Sequence, residues 1–471
     1  MKPEHRPYRT GDGNVRIGSV VYGIGAEIRD QQGWVWSLTE AMDGTRAPGA
    51  VVAEVARTHP AVSAEDVRQA MEDLLAAGYV EDAGAAVPPE LSARERDRYS
   101  RGVTLLRWMD RTPRTGLWEV QLALRASRVL LVGVGGTGGY AARALVASGV
   151  GRLHCVDPDT VELSNLNRQP LYRESDIGRS KAEAAVEVLR ALNSDVTVTG
   201  EAREVRGPGE LAALLTAGAP SPAAASPHGP AHGSPDGPAG GGPHGGQGGG
   251  PSSAPGGGPG AGYDLLVMAA DRPPEIRRWA NGVCLELGLP WVEAGYRGPL
   301  ATVGAFVPRR GACWECLRAT EIEGRDLRLA PGQDEEIASP RMPWNPADAV
   351  TAGLSGSLMA HAALALLTGA PPFEPGCRIG VNLMVPGEPI TARSARRPDC
   401  PACGDAPAQE GAEPREALEP QGPPESRHPG QPQGPQESQE PPGPSSGEPP
   451  GQPGPPAREV SARETSSAEH A

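Results

Sequence analysis

One segment restricts the possible folds of this chain more than any other. Arg128 to Val132 is short and apolar after its first residue, as expected of a buried strand. The glycine-rich turn Gly133-Val134-Gly135-Gly136-Thr137-Gly138 follows it and opens a helix predicted over Thr137 to Ser148. Glycines there let backbone N–H groups approach phosphate oxygens at the helix N-terminus. The segment predicts a Rossmann-like, doubly wound α/β fold, and at this stage either a redox dinucleotide or another nucleotide fits it.

The same alternation of strand and helix continues along the chain. Leu153 to Val156 is typical of a second strand, Glu183 to Leu192 of a helix, and Leu265 to Ala269 of another buried strand. Such alternation favours a parallel sheet. Asp157 closes the second strand, where a carboxylate can accept hydrogen bonds from ribose hydroxyls.

Two segments have a composition that opposes folding. Residues 218–262 contain 17 Gly and 10 Pro, and residues 404–471 are rich in Pro and acidic side chains and contain no aromatic residue. Neither can bury enough apolar surface to offset the entropy lost on ordering. We therefore predict a disordered Gly/Pro insertion at 218–262 and a disordered tail at 404–471.

Charge, hydropathy and cysteine content exclude several classes of protein. The formal net charge is −14, and no basic stripe suited to nucleic acid is present. No secretory signal and no apolar run of about 18 residues is found, so we expect a cytoplasmic protein without a membrane partner. Seven cysteines, four of them in two C-x-x-C pairs, suit metal binding better than disulfides.

The segment after the second strand distinguishes between the nucleotide types. Asn165, Arg168 and Lys181 supply an amide, a guanidinium and an ammonium group within a short stretch. A redox dinucleotide needs fewer cationic contacts, whereas departure of pyrophosphate from a triphosphate requires its charge to be neutralised. Lys181 is one of only two lysines in a chain that otherwise uses arginine. The pattern favours ATP.

Several motifs in order resemble the ThiF/MoeB/HesA family, the bacterial relatives of ubiquitin-activating enzymes. They are Arg98-Tyr99-Ser100-Arg101, GVGGTG, VDPDTVELSNLNRQ, GRSKAE, AADR, CWEC and CPAC, spread from about Arg98 to Cys403. The resemblance implies Mg-ATP-dependent adenylation of a carboxylate on a small carrier protein or peptide. It also implies a homodimer.

The resemblance assigns roles to individual residues. It implies nucleotide binding by Gly133, Gly135, Gly136, Gly138, Asp157, Ser164, Asn165, Arg168 and Lys181. It implies that Asp271 binds Mg²⁺ and that Arg101 reaches across the dimer into the partner's site. Arg101, Arg168, Lys181 and Asp271 are thus the candidate catalytic residues.

Two positions depart from the family pattern. Asp271 is followed by Arg272, where the family usually has Asn, so one ATP or metal contact differs. No cysteine lies between Cys316 and Cys377, where many members place a thioester-forming cysteine. The sequence therefore argues against a covalent thiol step.

Two cysteine pairs form a candidate metal site. Cys313 with Cys316 and Cys400 with Cys403 could complete a tetrahedral Zn²⁺ site, although 84 positions separate the pairs. The resemblance implies structural zinc, and the alternatives are reduced structural thiols or redox cysteines. With all four positions filled, the metal would be structural and not catalytic.

Residues 1–90 are predicted to form a separate module in front of the adenylation domain at 91–403. Short apolar stretches at 15–21, 24–28 and 34–38 suggest three antiparallel strands, and Ser63 opens a helix with a capping box to Asp66. The pattern is winged-helix-like and resembles PqqD-like leader-binding modules, which capture a precursor peptide as an added strand. The fusion resembles microcin-maturing enzymes of the MccB type; a generic winged helix is the alternative.

These features predict adenylation of the carboxylate of a ribosomally made precursor peptide. One alternative is activation of a sulfur-carrier protein for thiamine or molybdopterin synthesis. Another is a non-catalytic leader-binding scaffold that serves a partner enzyme. Loss of Asn165, Arg168 or Lys181 would favour the scaffold, and the sequence retains all three.

Overall fold

The computed structural model describes residues 1–19, 22–218, 262–333, 342 and 345–404. The front of the chain forms a small antiparallel sheet and three helices. The strands are β1 (Tyr8–Arg9), β2 (Val15–Ser19) and β3 (Ile24–Ile28), in the order β1-β2-β3. The helices are α1 (Trp34–Ala41), α2 (Pro48–Thr58) and α3 (Ala64–Ala76). The capping box between Ser63 and Asp66 is present at the start of α3, as predicted.

The third predicted strand is wrong. Trp34–Ala41 is a helix, and the third strand of the sheet is Tyr8–Arg9 instead. Both carboxylate oxygens of Asp30 accept hydrogen bonds from the first turn of α1, from the N–H groups of Val35 (3.1 Å) and Trp36 (2.9 Å). Satisfying these otherwise free donors stabilises the helix start and overrides the local apolar alternation.

Two helices connect the front sheet to the rest of the chain: α4 (Ala93–Met109) and α5 (Glu119–Ala126). Arg107 on α4 donates hydrogen bonds to Glu4 and Glu81 of the front unit, each at 3.0 Å. The buried Lys2 Nζ donates to the carbonyl oxygen of Asp110 (3.0 Å). These part-buried polar contacts hold the front unit against α4.

The described residues from Arg128 onwards form the eight strands of the main sheet and six α-helices. The elements are, in chain order, β4 (Arg128–Val132), α6 (Gly136–Ala147), β5 (Arg152–Val156), α7 (Lys181–Leu192), β6 (Thr197–Glu201), α8 (Pro208–Ala217), β7 (Leu265–Met268), α9 (Ile276–Leu287), β8 (Trp291–Arg297), β9 (Leu300–Phe306), α10 (Trp314–Glu323), α11 (Ala349–Thr368), β10 (Cys377–Asn382) and β11 (Pro389–Arg393). The strand order is β11-β10-β9-β8-β7-β4-β5-β6. Strands β8, β7, β4, β5 and β6 run parallel to one another. In contrast, β9 pairs antiparallel with β8, β10 with β9, and β11 with β10. The predicted parallel arrangement is thus present in β8, β7, β4, β5 and β6, and three antiparallel strands that the alternation does not predict extend the sheet at its β11 end.

The central strands are buried on both faces, as expected of a doubly wound sheet. Val129 and Leu131 of β4 pack in one core with residues of α5, α6, α7 and α11. Leu130 and Val132 point to the opposite face and pack with residues of α8, α9 and α10. Successive side chains of a strand alternate between faces, so a strand apolar at every position needs helices on both sides.

Among the described residues, one helix is long and apolar enough to cross a membrane, α11. It packs against α6, β8 and β9, and most of its residues are buried. These contacts are those of a core helix, which passes the same test of length and composition as a membrane span.

The predicted disordered insertion and tail lie outside the described residues, apart from residues 218, 262 and 404. All described residues fall in one compact unit. The division of the chain at residue 90 stays a prediction.

Candidate active site

The glycine-rich turn lies at the carboxyl end of β4, at the centre of the sheet. Gly133 has φ +89°, and a Cβ there would stand 2.8 Å from the backbone nitrogen of Ala270. A Cβ on Gly138 would overlap the carbonyl oxygen of Gly133. The turn can adopt this close packing only with glycine at both positions. It places the N-terminus of α6 at the edge of the sheet where ligands bind in this class of fold.

We expect G138A to lower the free energy of unfolding by about 1–3 kcal/mol, because the added methyl group has no room. Gly282 on α9 is the matched control, since a Cβ there meets no atom within 4 Å. G282A should raise stability by up to about 1 kcal/mol. Denaturant unfolding of both variants measures the difference, and equal stability would contradict the packing described here.

Asp157 follows β5 directly and lies beside the turn. Its side chain is 5% exposed and accepts hydrogen bonds from the N–H groups of Val134 (2.8 Å) and Asp159 (3.0 Å). Burial raises the pKa of this carboxyl, while the Val134 N–H and the nearby Lys181 oppose the shift. A carboxylate has more acceptor sites than these two bonds use, so it can still accept from ligand hydroxyls. The position fits the ribose contact predicted for Asp157.

The predicted phosphate-binding side chains follow β5. Ser164 and Asn165 belong to a short 3₁₀ turn, Leu163–Asn165, in which the Asn165 Oδ1 accepts from the N–H of Glu162 (3.1 Å). Arg168 donates to the Ser164 carbonyl oxygen (2.8 Å) and to the Asn167 side chain (2.9 Å). The turn thus gathers an amide and a guanidinium group on one short loop.

Lys181 is the first residue of α7 and is only 6% exposed. Its Nζ donates to the Asp159 Oδ2 at 2.8 Å, and its backbone N–H donates to the Asp159 carbonyl oxygen at 2.9 Å. The Tyr172 hydroxyl donates to the carbonyl oxygens of Val134 (2.8 Å) and Lys181 (3.3 Å). These bonds tie the lysine to the glycine-rich turn and orient its ammonium group beside Asp157.

Asp271 and Arg101 are exposed, and they differ in what surrounds them. Asp271 follows β7 on the same edge, next to Ala270, whose backbone contacts Gly133. Arg101 lies on α4 and, within the described part of the chain, forms no ion pair with residues of the turn. Its predicted role across a dimer stays a prediction.

Two residues near the turn carry no motif and were not predicted. Tyr296 lies near the end of β8, and its hydroxyl oxygen is 3.6 Å from the point where a Cβ on Gly136 would stand. Asn345 donates to the Tyr296 carbonyl oxygen (2.6 Å), and Asn167 donates to that of Ala347 (3.3 Å). The segment that leads into α11 is therefore attached to both β8 and the loop after β5. No local sequence signal marks these contacts.

The start of α11 contacts the turn directly. The hydroxyl groups of Thr137 and Ser355 lie 2.7 Å apart, and a Cβ on Gly136 would stand 3.1 Å from that of Ala352. Small residues on α11 allow this approach. The candidate site is thus bounded by the turn, the loop after β5, the end of β8 and the start of α11.

The two cysteine pairs come together despite their separation in sequence. The Sγ atoms of Cys313, Cys316, Cys400 and Cys403 all lie within 4.8 Å of one another. Three of the S–S distances are 3.8 Å (313 to 316), 3.6 Å (313 to 400) and 3.5 Å (316 to 403). A tetrahedral Zn²⁺ with Zn–S bonds of about 2.3 Å requires separations of about 3.8 Å. The four sulfurs fit such an ion.

Outer contacts support a metal-binding role for the cysteines. The Asn281 amide donates to the Cys313 Sγ (3.7 Å), and the backbone N–H of Arg397 donates to the Cys316 Sγ (3.4 Å). Donors of this kind stabilise thiolate ligands and fix their orientation. Cys377, outside the cluster, is buried and lies 3.0 Å from the Glu374 carbonyl oxygen, and burial raises the pKa of its thiol. That environment does not favour a nucleophilic thiolate.

Comparison with known proteins gives one family match and several relatives. A model described as the ThiF family matches residues 106–216 and 260–402, more than half of the chain. The molybdopterin-synthase adenylyltransferase of Escherichia coli is 40% identical over 126 residues, 27% of this chain and 47% of that protein. The adenylyltransferase and sulfurtransferase uba4 of Aspergillus clavatus is 46% identical over 110 residues, 23% of this chain and 21% of that protein. The chain thus spans less than half the length of these relatives.

Solved structures resemble the chain over a longer range. The crystal structure of E. coli MccB has a TM-score of 0.59 and 20% identity, covering 86% of this chain and 96% of MccB. The crystal structure of PaaA has a TM-score of 0.53 and 19% identity, covering 84% and 100%. At this sequence identity the similarity concerns the fold alone. It covers a larger share of the chain than the segments that the family model matches.

Proposed function

Because the chain belongs to the ThiF family, we propose that it adenylates the carboxylate of a peptide with ATP. The observation that carries the proposal is that the predicted phosphate-binding groups lie together at one edge of the sheet. They are the glycine-rich turn, Asp157, the loop with Asn165 and Arg168, and the buried Lys181. A scaffold without catalysis would have no need to hold a buried ammonium group beside such a turn.

In the proposed reaction, backbone N–H groups of the turn and the start of α6 hold the phosphates of ATP, and Asp157 accepts from the ribose. One oxygen of the substrate carboxylate forms a bond to the α-phosphorus. The bond from that phosphorus to the oxygen bridging to the β-phosphate breaks, and its electron pair leaves with pyrophosphate. In this proposal Arg168, Lys181 and the Asn165 amide stabilise the growing negative charge.

Asp271 is suited to hold Mg²⁺ in this reaction. Mg²⁺ sites typically use one or two carboxylates together with substrate phosphates and water. Asp271 is exposed, lies on the edge of the sheet that carries the turn, and forms no hydrogen bond or ion pair with another described residue. When bound there, Mg²⁺ would neutralise charge on the departing pyrophosphate. In the proposed homodimer, Arg101 of one subunit would add a further positive charge to the partner's site.

The front unit favours a peptide substrate. Strand β3 (Ile24–Ile28) is an edge of the small sheet and, among the described residues, pairs with β2 alone. Its free edge can pair with an extended peptide, in which case backbone hydrogen bonds supply affinity and side-chain pockets supply selectivity. The opposite edge, β1, has only two residues and offers a poorer template. We propose that a precursor peptide's leader docks on β3 while its carboxylate reaches the glycine-rich turn.

Activation of a small sulfur-carrier protein is the second candidate. The curated relatives favour it, since one is named a molybdopterin-synthase adenylyltransferase and another an adenylyltransferase and sulfurtransferase. Their similarity covers 23% and 27% of this chain. The front unit lies outside residues 106–216 and 260–402, which the family model matches, and it favours the peptide.

ATP–pyrophosphate exchange separates the two candidates. The purified chain would be incubated with ATP, Mg²⁺ and labelled pyrophosphate, with either short peptides encoded beside the gene or a carrier protein ending in Gly-Gly. We expect exchange with a peptide. Exchange with the carrier alone would favour the second candidate, and tight leader binding without exchange for any substrate would defeat the adenylation proposal.

A further inference from the structure

Gln169, the last residue of the VDPDTVELSNLNRQ motif, is a buried polar side chain next to the glycine-rich turn, and neither the family resemblance nor the proposed reaction gives it a role. It is 5% exposed, and its Oε1 has no hydrogen-bond partner among the described residues. Its Nε2 lies 3.5 Å from the point where a Cβ on Gly135 would stand. The carboxamide therefore faces the turn from close range.

The backbone fixes the position of this side chain. The Gln169 N–H donates to the Asn165 carbonyl oxygen (3.0 Å), and the Gln169 carbonyl oxygen accepts from the N–H of Tyr172 (3.4 Å). Arg168 precedes Gln169 directly, and its own carbonyl oxygen lies 3.4 Å from where a Cβ on Gly136 would stand. The loop that carries the phosphate-binding side chains thus also presses Gln169 against the turn.

A buried acceptor without a donor is unfavourable, because it has lost its hydrogen bonds to water and gained none in return. An apolar side chain of the same shape would avoid this cost. A glutamine at this position is explained if the bound ligand supplies the hydrogen-bond donor that the carboxamide oxygen lacks.

We propose that Gln169 is a ligand-binding residue, whose carboxamide oxygen accepts a hydrogen bond from the ligand held above the turn. This inference rests on the proposed function. The donor is an N–H or O–H group with two possible sources. It belongs either to the nucleotide, as a ribose hydroxyl or the adenine amine, or to the acyl part, as the last peptide N–H of the substrate.

The test compares Gln169→Met with a matched control, Gln121→Met. Gln121 is also buried, at 2% exposure, but its Nε2 already donates to the Ser148 carbonyl oxygen (3.1 Å), away from the turn. Binding of two probes to the full chain would be measured by calorimetry in the presence of Mg²⁺. ATP supplies only nucleotide donors, and 5′-O-[N-(N-acetylglycyl)sulfamoyl]adenosine, an unreactive acyl-adenylate mimic, adds a peptide N–H.

We expect Gln169→Met to weaken binding at least tenfold, or about 1.4 kcal/mol, with a Tm equal to or above that of the wild type. If both probes bind more weakly, the donor belongs to the nucleotide. If the acyl-adenylate mimic alone binds more weakly, the donor is the peptide N–H. Gln121→Met should bind as the wild type does and lose stability. Unchanged binding by Gln169→Met, or a fall in its Tm like that of the control, would overturn the inference. If the wild-type chain binds neither probe, the proposed function itself is rejected before any variant is measured.

Discussion

Replacing Lys181 with alanine is expected to lower peptide-dependent ATP–pyrophosphate exchange about 10²–10³-fold, the usual cost of losing one preorganised charge-stabilising group. The ammonium group is buried, and Asp159 holds it beside the glycine-rich turn. Asp159 itself is largely exposed, so losing its partner leaves a solvated carboxylate and changes stability little. The measurement is exchange at saturating ATP, together with leader binding, which should be unchanged.

Lys2 provides the control for this variant, because it is the only other lysine in the chain. It is 1% exposed, and its Nζ donates to the Asp110 carbonyl oxygen at the junction of the front unit and α4. Lys2→Ala should reduce stability without a comparable loss of exchange per folded molecule. Parallel loss of exchange and leader binding in Lys181→Ala would show that Lys181 has a structural role instead.

Replacing Cys400 with serine is expected to remove zinc and to lower the Tm by at least about 10 °C. Structural zinc sites contribute on the order of 10 kcal/mol to the folding of small domains, and 1 kcal/mol corresponds to about 2–4 °C for domains of 150–250 residues. The site joins the start of α10 to residues 400–403, so its loss frees the end of the domain. Metal analysis and thermal unfolding of the purified variant measure both effects.

The matched control for the zinc prediction is Cys284→Ala. Cys284 is fully buried on α9 and lies outside the cluster. Its replacement creates only a small cavity, so the zinc content should stay near one per chain and the Tm should fall less. A wild-type chain without zinc, or a Cys400→Ser variant with normal zinc content, would contradict the assignment.

The centre of the fold could be predicted because its signals are local. β4 is apolar from Val129 to Val132, and the glycines that follow are required by the backbone packing at Gly133 and Gly138. The helix after Ser63 likewise carries its own capping signal. Where a few adjacent residues determine the conformation, the sequence is sufficient.

Residues 34–38 are predicted as a strand because their apolar residues alternate, but the local cap supplied by Asp30 makes Trp34–Ala41 a helix. The other differences occur where distant residues determine the conformation. β6 (Thr197–Glu201) has the polar sequence of an edge strand and was not predicted, since its pairing with β5 supplies its stability. The antiparallel pairing of β9 with β8 and β10 also depends on tertiary contacts.

The residues of the candidate site also fall into two groups, those marked by local motifs and those placed by tertiary contacts. Asp157, Asn165, Arg168 and Lys181 belong to motifs, so their residue types and order could be predicted together. Gln169 belongs to the same motif, but only the burial of its unpaired oxygen suggests a role. Tyr296 enters the site from β8, and its closeness to Gly136 could not be deduced from a sequence separation of 160 positions.

The central claim is that the chain joins a substrate carboxylate to AMP. The most direct measurement is pyrophosphate exchange by the wild-type chain with one peptide in two forms, one with a free C-terminal carboxylate and one with a C-terminal amide. Both forms carry the same leader and can dock equally on the front unit, but only the free carboxylate can attack the α-phosphorus. The account predicts exchange with the free acid and none with the amide. Exchange that is equal for both forms, or absent for the acid while the leader binds tightly, would contradict it.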